Sequence, residues 1–281
     1  MNAGRQSRLP VVIIAFAVFL LHGTAAGGDT DFGSTVIVGL GGAYTGALED
    51  ASVIWLNPGA TGEPGHGSVS LSYRRLWELA DLGEVAASVR QSIGSRVAIG
   101  AGFNRFGSTG LYQEYDALAV ASFRASSRWS AGAGLHYLRT EFGDNEVAAA
   151  GAFLDAGVMA QVPSGLRAGA AVRRIPIDGL YNDMNADDPG VSYELSAAWS
   201  APSELTIAGI WTHEEDGDNR FGIGQRMALG AGAEFLAGLR FDPVRYTLGG
   251  QVHHRGGGLQ YVYQSHSDLG GTHTIGVSWG W

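Results

Sequence analysis

Arg74, Arg90, Arg167, Arg173, Glu194, Glu234 and Arg240 each alternate with apolar or small neighbours along their stretch of chain, and so do His136 and Asp155. Period-two alternation puts them on the strand face opposite the apolar one. Charges on a protected face need partners. They can pair with one another, pair with a segment lodged beside them, or line a path for an amphipathic solute. Other polar groupings say less. Asp183, Asn185 and Asp187 place oxygens at alternate positions, with Glu194 further on, as a calcium loop does, but Asp188 stands where such a loop needs glycine. Glu214, Glu215, Asp216 and Asp218 read as a solvated acidic loop. His253 and His254 are strand neighbours pointing to opposite sides, which does not suit one shared metal ion. No Ser/His/Asp arrangement and no carboxylate pair in a cleft has local support, so the chain does not read as an enzyme, and no metal or cofactor is implied.

The elements that position these residues are strands. The last ten residues, THTIGVSWGW, carry Ile275, Val277, Trp279 and Trp281 on one face and Thr274, Gly276, Ser278 and Gly280 on the other. A wall strand of a membrane barrel has this pattern, apolar toward lipid with an aromatic residue at the interface. From His66 onward the alternation continues. Val69, Leu71 and Tyr73 share a face, as do Val85, Ala87 and Val89, and Val97, Ile99, Ala101 and Phe103. So do Trp129, Ala131, Ala133, Leu135 and Tyr137, and later Val191, Tyr193, Leu195, Ala197 and Trp199. The opposite positions are mostly Gly, Ala and Ser. Charges gather at strand ends and in loops, the reverse of a soluble sandwich, whose outer face is polar.

This predicts an all-β fold: a transmembrane antiparallel up-and-down β-barrel of about fourteen strands, with twelve as the alternative. From Met227 to Phe241 the outward parity runs unbroken and no turn signal stands out. Strand ten is predicted over 226–235 and a short strand eleven over 237–241. Short connections (Gly94-Ser95, 125–127, 163–165, 201–203, 255–258) are predicted to alternate with longer ones (77–83, 107–113, 141–146, 176–189, 214–225, 265–271), as periplasmic turns alternate with outer loops.

Composition agrees. The 281 residues include 44 glycines but no cysteine, and only 16% are charged, against roughly a quarter in soluble domains. All eighteen basic residues are arginine. The net charge of −9 argues against a nucleic-acid partner. Residues 1–26 read as a secretory signal peptide: Arg5 and Arg8, an apolar run from Leu9 to Leu21, then Gly23-Thr24-Ala25-Ala26. Together with the barrel pattern they imply a bacterial outer membrane. Residues 66–281 form the predicted barrel. Residues 27–65 do not alternate, and they predict a partly helical hatch packed in the barrel mouth. Its candidate gate or ligand-contact residues are Tyr44, Trp55, Leu56, Asn57, Pro58 and Gly59. Pro58 lacks a donor and Gly59 is conformationally permissive, so the turn there can serve as a movable gate or as a fixed plug.

Two stretches carry a family resemblance. Gly41, Gly42, Ala43 and Tyr44, then Asp50-Ala51, then Asn57-Pro58-Gly59 resemble the N-terminal signature of FadL-like and PorV/PorQ-like outer-membrane proteins. Tyr261, Tyr263, Asp268, Leu269, Gly270, Thr272 and His273, followed by the closing strand, resemble the C-terminal end of the PorV/PorQ-like group. The resemblance implies a fourteen-stranded barrel with a luminal hatch, embedded in outer-membrane lipid, that binds or passively passes a small hydrophobic or amphipathic molecule. The PorV side implies the alternative, a non-transporting scaffold with secretion-system proteins as partners. Trp281 resembles the terminal aromatic signal read by the barrel-assembly machinery.

Overall fold

The computed structural model describes residues 33–44, 50–62, 67–79, 81–108, 110–143, 146–177, 190–202, 204–215, 217–241 and 243–281. The signal-peptide segment 1–26, the hatch residues 27–32, 45–49 and 63–65, and the acidic stretch from Asp183 to Asp188 lie outside them.

Fourteen antiparallel strands close on themselves in chain order. They are β1 (Ser68–Arg75), β2 (Gly83–Ile93), β3 (Val97–Ser108), β4 (Tyr112–Arg124), β5 (Trp129–Phe142), β6 (Glu146–Gln161) and β7 (Leu166–Pro176). The second half comprises β8 (Ser192–Ser200), β9 (Leu205–Glu214), β10 (Asn219–Gly230), β11 (Ala233–Phe241), β12 (Arg245–His254), β13 (Gly257–Gln264) and β14 (Thr272–Gly280). The barrel closes where β1 meets β14, with Ser68 opposite Gly280 and Tyr73 opposite Ile275. Closure leaves no sheet edge, which a wall in hydrocarbon requires because unpaired backbone groups there find no water.

The alternation has its predicted consequence. Val69, Leu71, Val89, Ile99, Phe103, Leu135, Leu195, Leu248 and Val277 are exposed on the outer wall. At alternate positions on the strands Ser70, Ser88, Ser122, Ser196 and Thr274 are buried inside. Apolar side chains outside and buried polar ones inside invert a soluble fold and fit a lipid solvent. Aromatic residues rim the outer surface near the strand ends. Phe123, Trp129, Trp199, Trp279 and Trp281 lie toward the end with the short even-to-odd turns, and Tyr73, Tyr137, Tyr193, Phe241 and Tyr246 toward the other.

One stretch differs from the sequence expectation. β10 is Asn219–Gly230 and β11 is Ala233–Phe241, so the predicted strand ten at 226–235 spans a turn, and the predicted long loop at 214–225 is mostly strand. The turn is Ala231-Gly232, with φ of 53° and 78°. Two successive positive φ values match the twist of the flanking strands, as in the mirror-image hairpin turns. Alanine in place of Asn or Asp hid it. A bulge beside it hid it further. The register passes from Ala228 opposite Glu234 to Gly230 opposite Ala233. A two-residue turn alone would exchange odd and even faces. The extra residue, Leu229, restores the parity, so the outward pattern runs through the turn uninterrupted. The predicted loops 107–113 and 141–146 also shorten, because β3, β4, β5 and β6 each extend further than their apolar alternation.

Candidate functional site

The protein's core is the hatch. α1 (Thr35–Gly39) and two 3-10 turns, Ala51–Trp55 and Pro58–Gly62, lie inside the barrel. Ser34 caps α1 by accepting from the Val36 amide at 3.2 Å, and Asp50 caps the first 3-10 turn by accepting from the Ser52 amide at 2.9 Å. Such caps let short helical pieces persist without length. Val36, Ile37, Leu40, Val53, Ile54, Trp55 and Leu56 pack there against wall residues Ala86, Leu118, Val120, Met159, Leu236 and Val262. This explains the glycines of the inner face. A Cβ on Gly100 would come within 2.7 Å of Ile54, and one on Gly102 within 2.5 Å of Trp55. On Gly222, Gly224 and Gly238 it would strike the Leu40–Gly41 backbone. The wall is carved to the shape of the plug.

Asn57, Pro58 and Gly59 form one docking element. The Asn57 Nδ2 donates to the Val158 carbonyl on β6 at 3.2 Å and to the Ala170 carbonyl on β7 at 3.3 Å. Its Oδ1 accepts from the Gly59 amide at 2.8 Å, bracing the turn across Pro58. The Gly59 carbonyl accepts from Ser130 on β5 at 2.7 Å. A Cβ on Gly132 would meet the Pro58 carbonyl, and one on Gly157 the Asn57 amide. Arg90 reaches the same segment, donating from Nε to the Thr61 carbonyl at 2.8 Å.

Beside this element the inward charges join in a chain of alternating sign. Asp116 on β4 bonds His136 Nδ1 at 2.9 Å, and His136 Nε2 bonds Asp155 on β6 at 3.0 Å. Arg173 on β7 lies 3.6 Å from Asp155 through Nε and donates from Nη1 to Glu194 on β8 at 2.7 Å. The hatch closes the chain: the Tyr44 hydroxyl donates to Glu194 Oε2 at 3.5 Å. Burial, with Glu194 beside it, pushes the Tyr44 phenol well above its ordinary value, so it stays a donor. Trp55 stands over the middle, its ring centroid 6.3 Å from that of His136. β7 bulges here. Arg174 takes φ of 60°, and its amide donates to Asp155 Oδ1 at 2.8 Å. A non-glycine residue held in the left-handed region marks a site that its surroundings over-determine.

Arg74 bonds Glu84 through Nε at 3.0 Å, and Asn104 completes that group at 2.8 Å. Glu234 meets Gln251 and lies 3.9 Å from Arg226. Arg167 is half-buried near the short-turn end. Arg240 borders a small cavity with Ile37, Leu56, Arg173, Glu194 and Ile210. That cavity, about 20 Å³, has room for roughly one water molecule and no hydrocarbon. Trp281 lies just past β14, donating from Nε1 to Gln91 at 3.2 Å. Asp116 was missed by sequence reasoning: its neighbours Tyr115 and Ala117 give no clear apolar face, so its inward parity shows only when strand four is phased from Leu118 and Val120.

The fold and site define a class: a closed fourteen-stranded membrane barrel whose lumen is filled by its own N-terminal hatch. No protein-family model and no curated protein matches the sequence. Solved structures do. The CymD monoaromatic hydrocarbon channel aligns over 90% of this chain and 98% of its own, with TM-score 0.65 and 11% identity. The Pseudomonas putida toluene transporter TodX aligns over 90% and 99%, with TM-score 0.64 and 11% identity. A Pseudomonas aeruginosa FadL homologue aligns over 88% and 98%, with TM-score 0.62 and 11% identity. At these identities the likeness is one of fold.

Proposed function

We propose that the protein sits in a bacterial outer membrane and lets small hydrophobic solutes pass by diffusion, with the hatch as the gate. The observation that carries this reading is the seat of the hatch. It is held by hydrogen bonds and apolar packing in a wall cut to receive it, and the cavity beside Ile37, Leu56, Arg173 and Glu194 is only about 20 Å³ among the described residues. Passage through the lumen therefore requires the hatch to shift. The fold shared with proteins named as hydrocarbon channels supports the same direction. Tyr44, Trp55, Leu56, Asn57, Pro58 and Gly59 would be the moving surface, and the chain from Asp116 to Glu194 the catch it leaves. Trp281, exposed at the chain end, fits the role of assembly signal.

A disulfide tests this, since the chain has no cysteine of its own. Thr35 on α1 donates to Ser72 on β1 across 3.2 Å, so Thr35→Cys/Ser72→Cys can cross-link hatch to wall. Uptake of labelled toluene into cells expressing the reduced variant should exceed that of cells lacking the protein, and oxidation should abolish the excess. Uptake indifferent to both expression and oxidation rejects the channel reading.

A further inference from the structure

Two neighbouring hairpin turns at the short-turn end carry three arginines and no acid. The β2–β3 turn presents Arg96 and the β4–β5 turn Arg124 and Arg128, within the stretches QSIGSRV (91–97) and SFRASSRWS (122–130). The Arg124 amide donates to the Arg96 carbonyl at 2.7 Å, so the two turns are joined. The second turn is held rigidly: the Ser126 hydroxyl accepts from the amides of Arg128 and Trp129, each at 3.2 Å. Arg124 folds over it, donating to the Ser126 and Ser127 carbonyls at 3.2 and 3.4 Å. None of the three arginines has an ion-pair partner among the described residues. On the membrane side of the turns stand Ile93, Val97, Phe123 and Trp129, all exposed on the outer wall. Val97 lies directly opposite Phe123.

We propose that Arg96, Arg124 and Arg128 form a headgroup site for an anionic phospholipid of the leaflet at the short-turn end, with Ile93, Val97, Phe123 and Trp129 receiving its acyl chains. The chemistry matches in both halves. Guanidinium groups take phosphodiester oxygens in a bidentate fork, and a tryptophan at the interface anchors the glycerol level. The opposite end is differently charged. Glu78, Asp81, Glu215, Asp218 and Asp268 lie on its loops and would repel the same headgroup. The site is separate from the hatch and stands whether or not the barrel passes a solute.

Native mass spectrometry of the detergent-purified full chain, titrated with dioleoyl-phosphatidylglycerol or dioleoyl-phosphatidylcholine, tests the site. Wild-type protein should retain phosphatidylglycerol at concentrations at least tenfold lower than phosphatidylcholine. Arg96→Gln/Arg124→Gln/Arg128→Gln should erase that preference, each arginine contributing about fivefold. Arg255→Gln, on the β12–β13 turn with β14 and β1 between it and β2, should leave it intact. Heat-modifiable migration on a denaturing gel confirms that each variant is folded, as exposed turn positions lead one to expect. Equal retention of the two lipids by wild type, or an unchanged preference in the triple variant, overturns the proposal. Displacement of bound phosphatidylglycerol by millimolar inorganic phosphate, with no lipid requirement, would show a bare phosphate site instead. Capture of an acidic protein in place of lipid would overturn it in favour of a protein interface.

Discussion

Asn57 in the hatch donates its side-chain amide to the carbonyl of Val158 in the barrel wall, 3.2 Å away and 101 residues along the chain. The same amide nitrogen reaches Ala170, so one side chain ties the plug to two adjacent strands. Asn57→Ala removes both bonds and the brace to Gly59. The hatch should loosen by about 1–3 kcal/mol, the cost of buried partners left without a donor. Hydrogen exchange over residues 51–62 should quicken while the strands keep their protection. Unchanged exchange in the hatch would show that packing alone holds it.

Gly157 and Gly132 are where the wall admits that turn. A methyl at Gly157 would collide with Asn57, and one at Gly132 with the Pro58 carbonyl. Gly157→Ala and Gly132→Ala should leave the barrel folded and unseat the hatch, seen as protease cleavage between residues 50 and 62. Gly209→Ala should leave both the barrel folded and the hatch seated, because its nearest neighbour would be 3.8 Å away.

Arg173 stands between two buried carboxylates, Asp155 and Glu194. Arg173→Met removes the cation that bridges Asp155 and Glu194 and should cost about 3–5 kcal/mol, more than most single substitutions. Urea-driven unfolding from lipid vesicles measures it. Adding Glu194→Gln should recover part of the loss, since no uncompensated charge then remains at that position. A double variant no more stable than the single one would refute the pairing argument.

Tyr44 gives a pH signature. Its phenol is raised above its free value of about 10 by burial and by Glu194. A raised acid favours the folded state while it is neutral. Its contribution to hatch docking is therefore complete below about pH 10 and falls as pH rises through the folded value. Hatch protection measured across pH 8 to 11 should drop at the alkaline end in wild type. In Tyr44→Phe that dependence should be absent.

The outer wall predicts a depth gradient. Leu195 lies in the middle of β8 and Trp199 near its short-turn end, both facing outward. Leu195→Arg should destabilise the folded barrel in lipid by about 2–4 kcal/mol, and Trp199→Arg by about 0–1. Equal costs would contradict a membrane boundary near Trp199.

Much of this architecture can be read from residue order alone. Period-two alternation is a local property, because the pleat sends neighbours to opposite faces whatever the fold. Val69, Leu71 and Tyr73 therefore declare an outer face, and Arg74 and Arg90 an inner one, before any partner is known. The abundance of inward glycine likewise announced a filled lumen, and the break in alternation before residue 66 announced what fills it. Tertiary structure decided the rest. The turn at Ala231-Gly232 depends on a bulge at Leu229 that preserves parity, and no periodic signal registers a turn that leaves the period unchanged. Which glycine receives which hatch atom depends on how α1 and the Asn57 turn sit against strands far away in sequence. The chain Asp116–His136–Asp155–Arg173–Glu194 draws one member from each of five successive strands. Its links exist only through the strand register, which brings residues of like height together, and through the bulge at Arg174 that turns an amide toward Asp155. Side-chain direction is written along the chain, but the meeting of side chains across the wall is set only when the barrel closes.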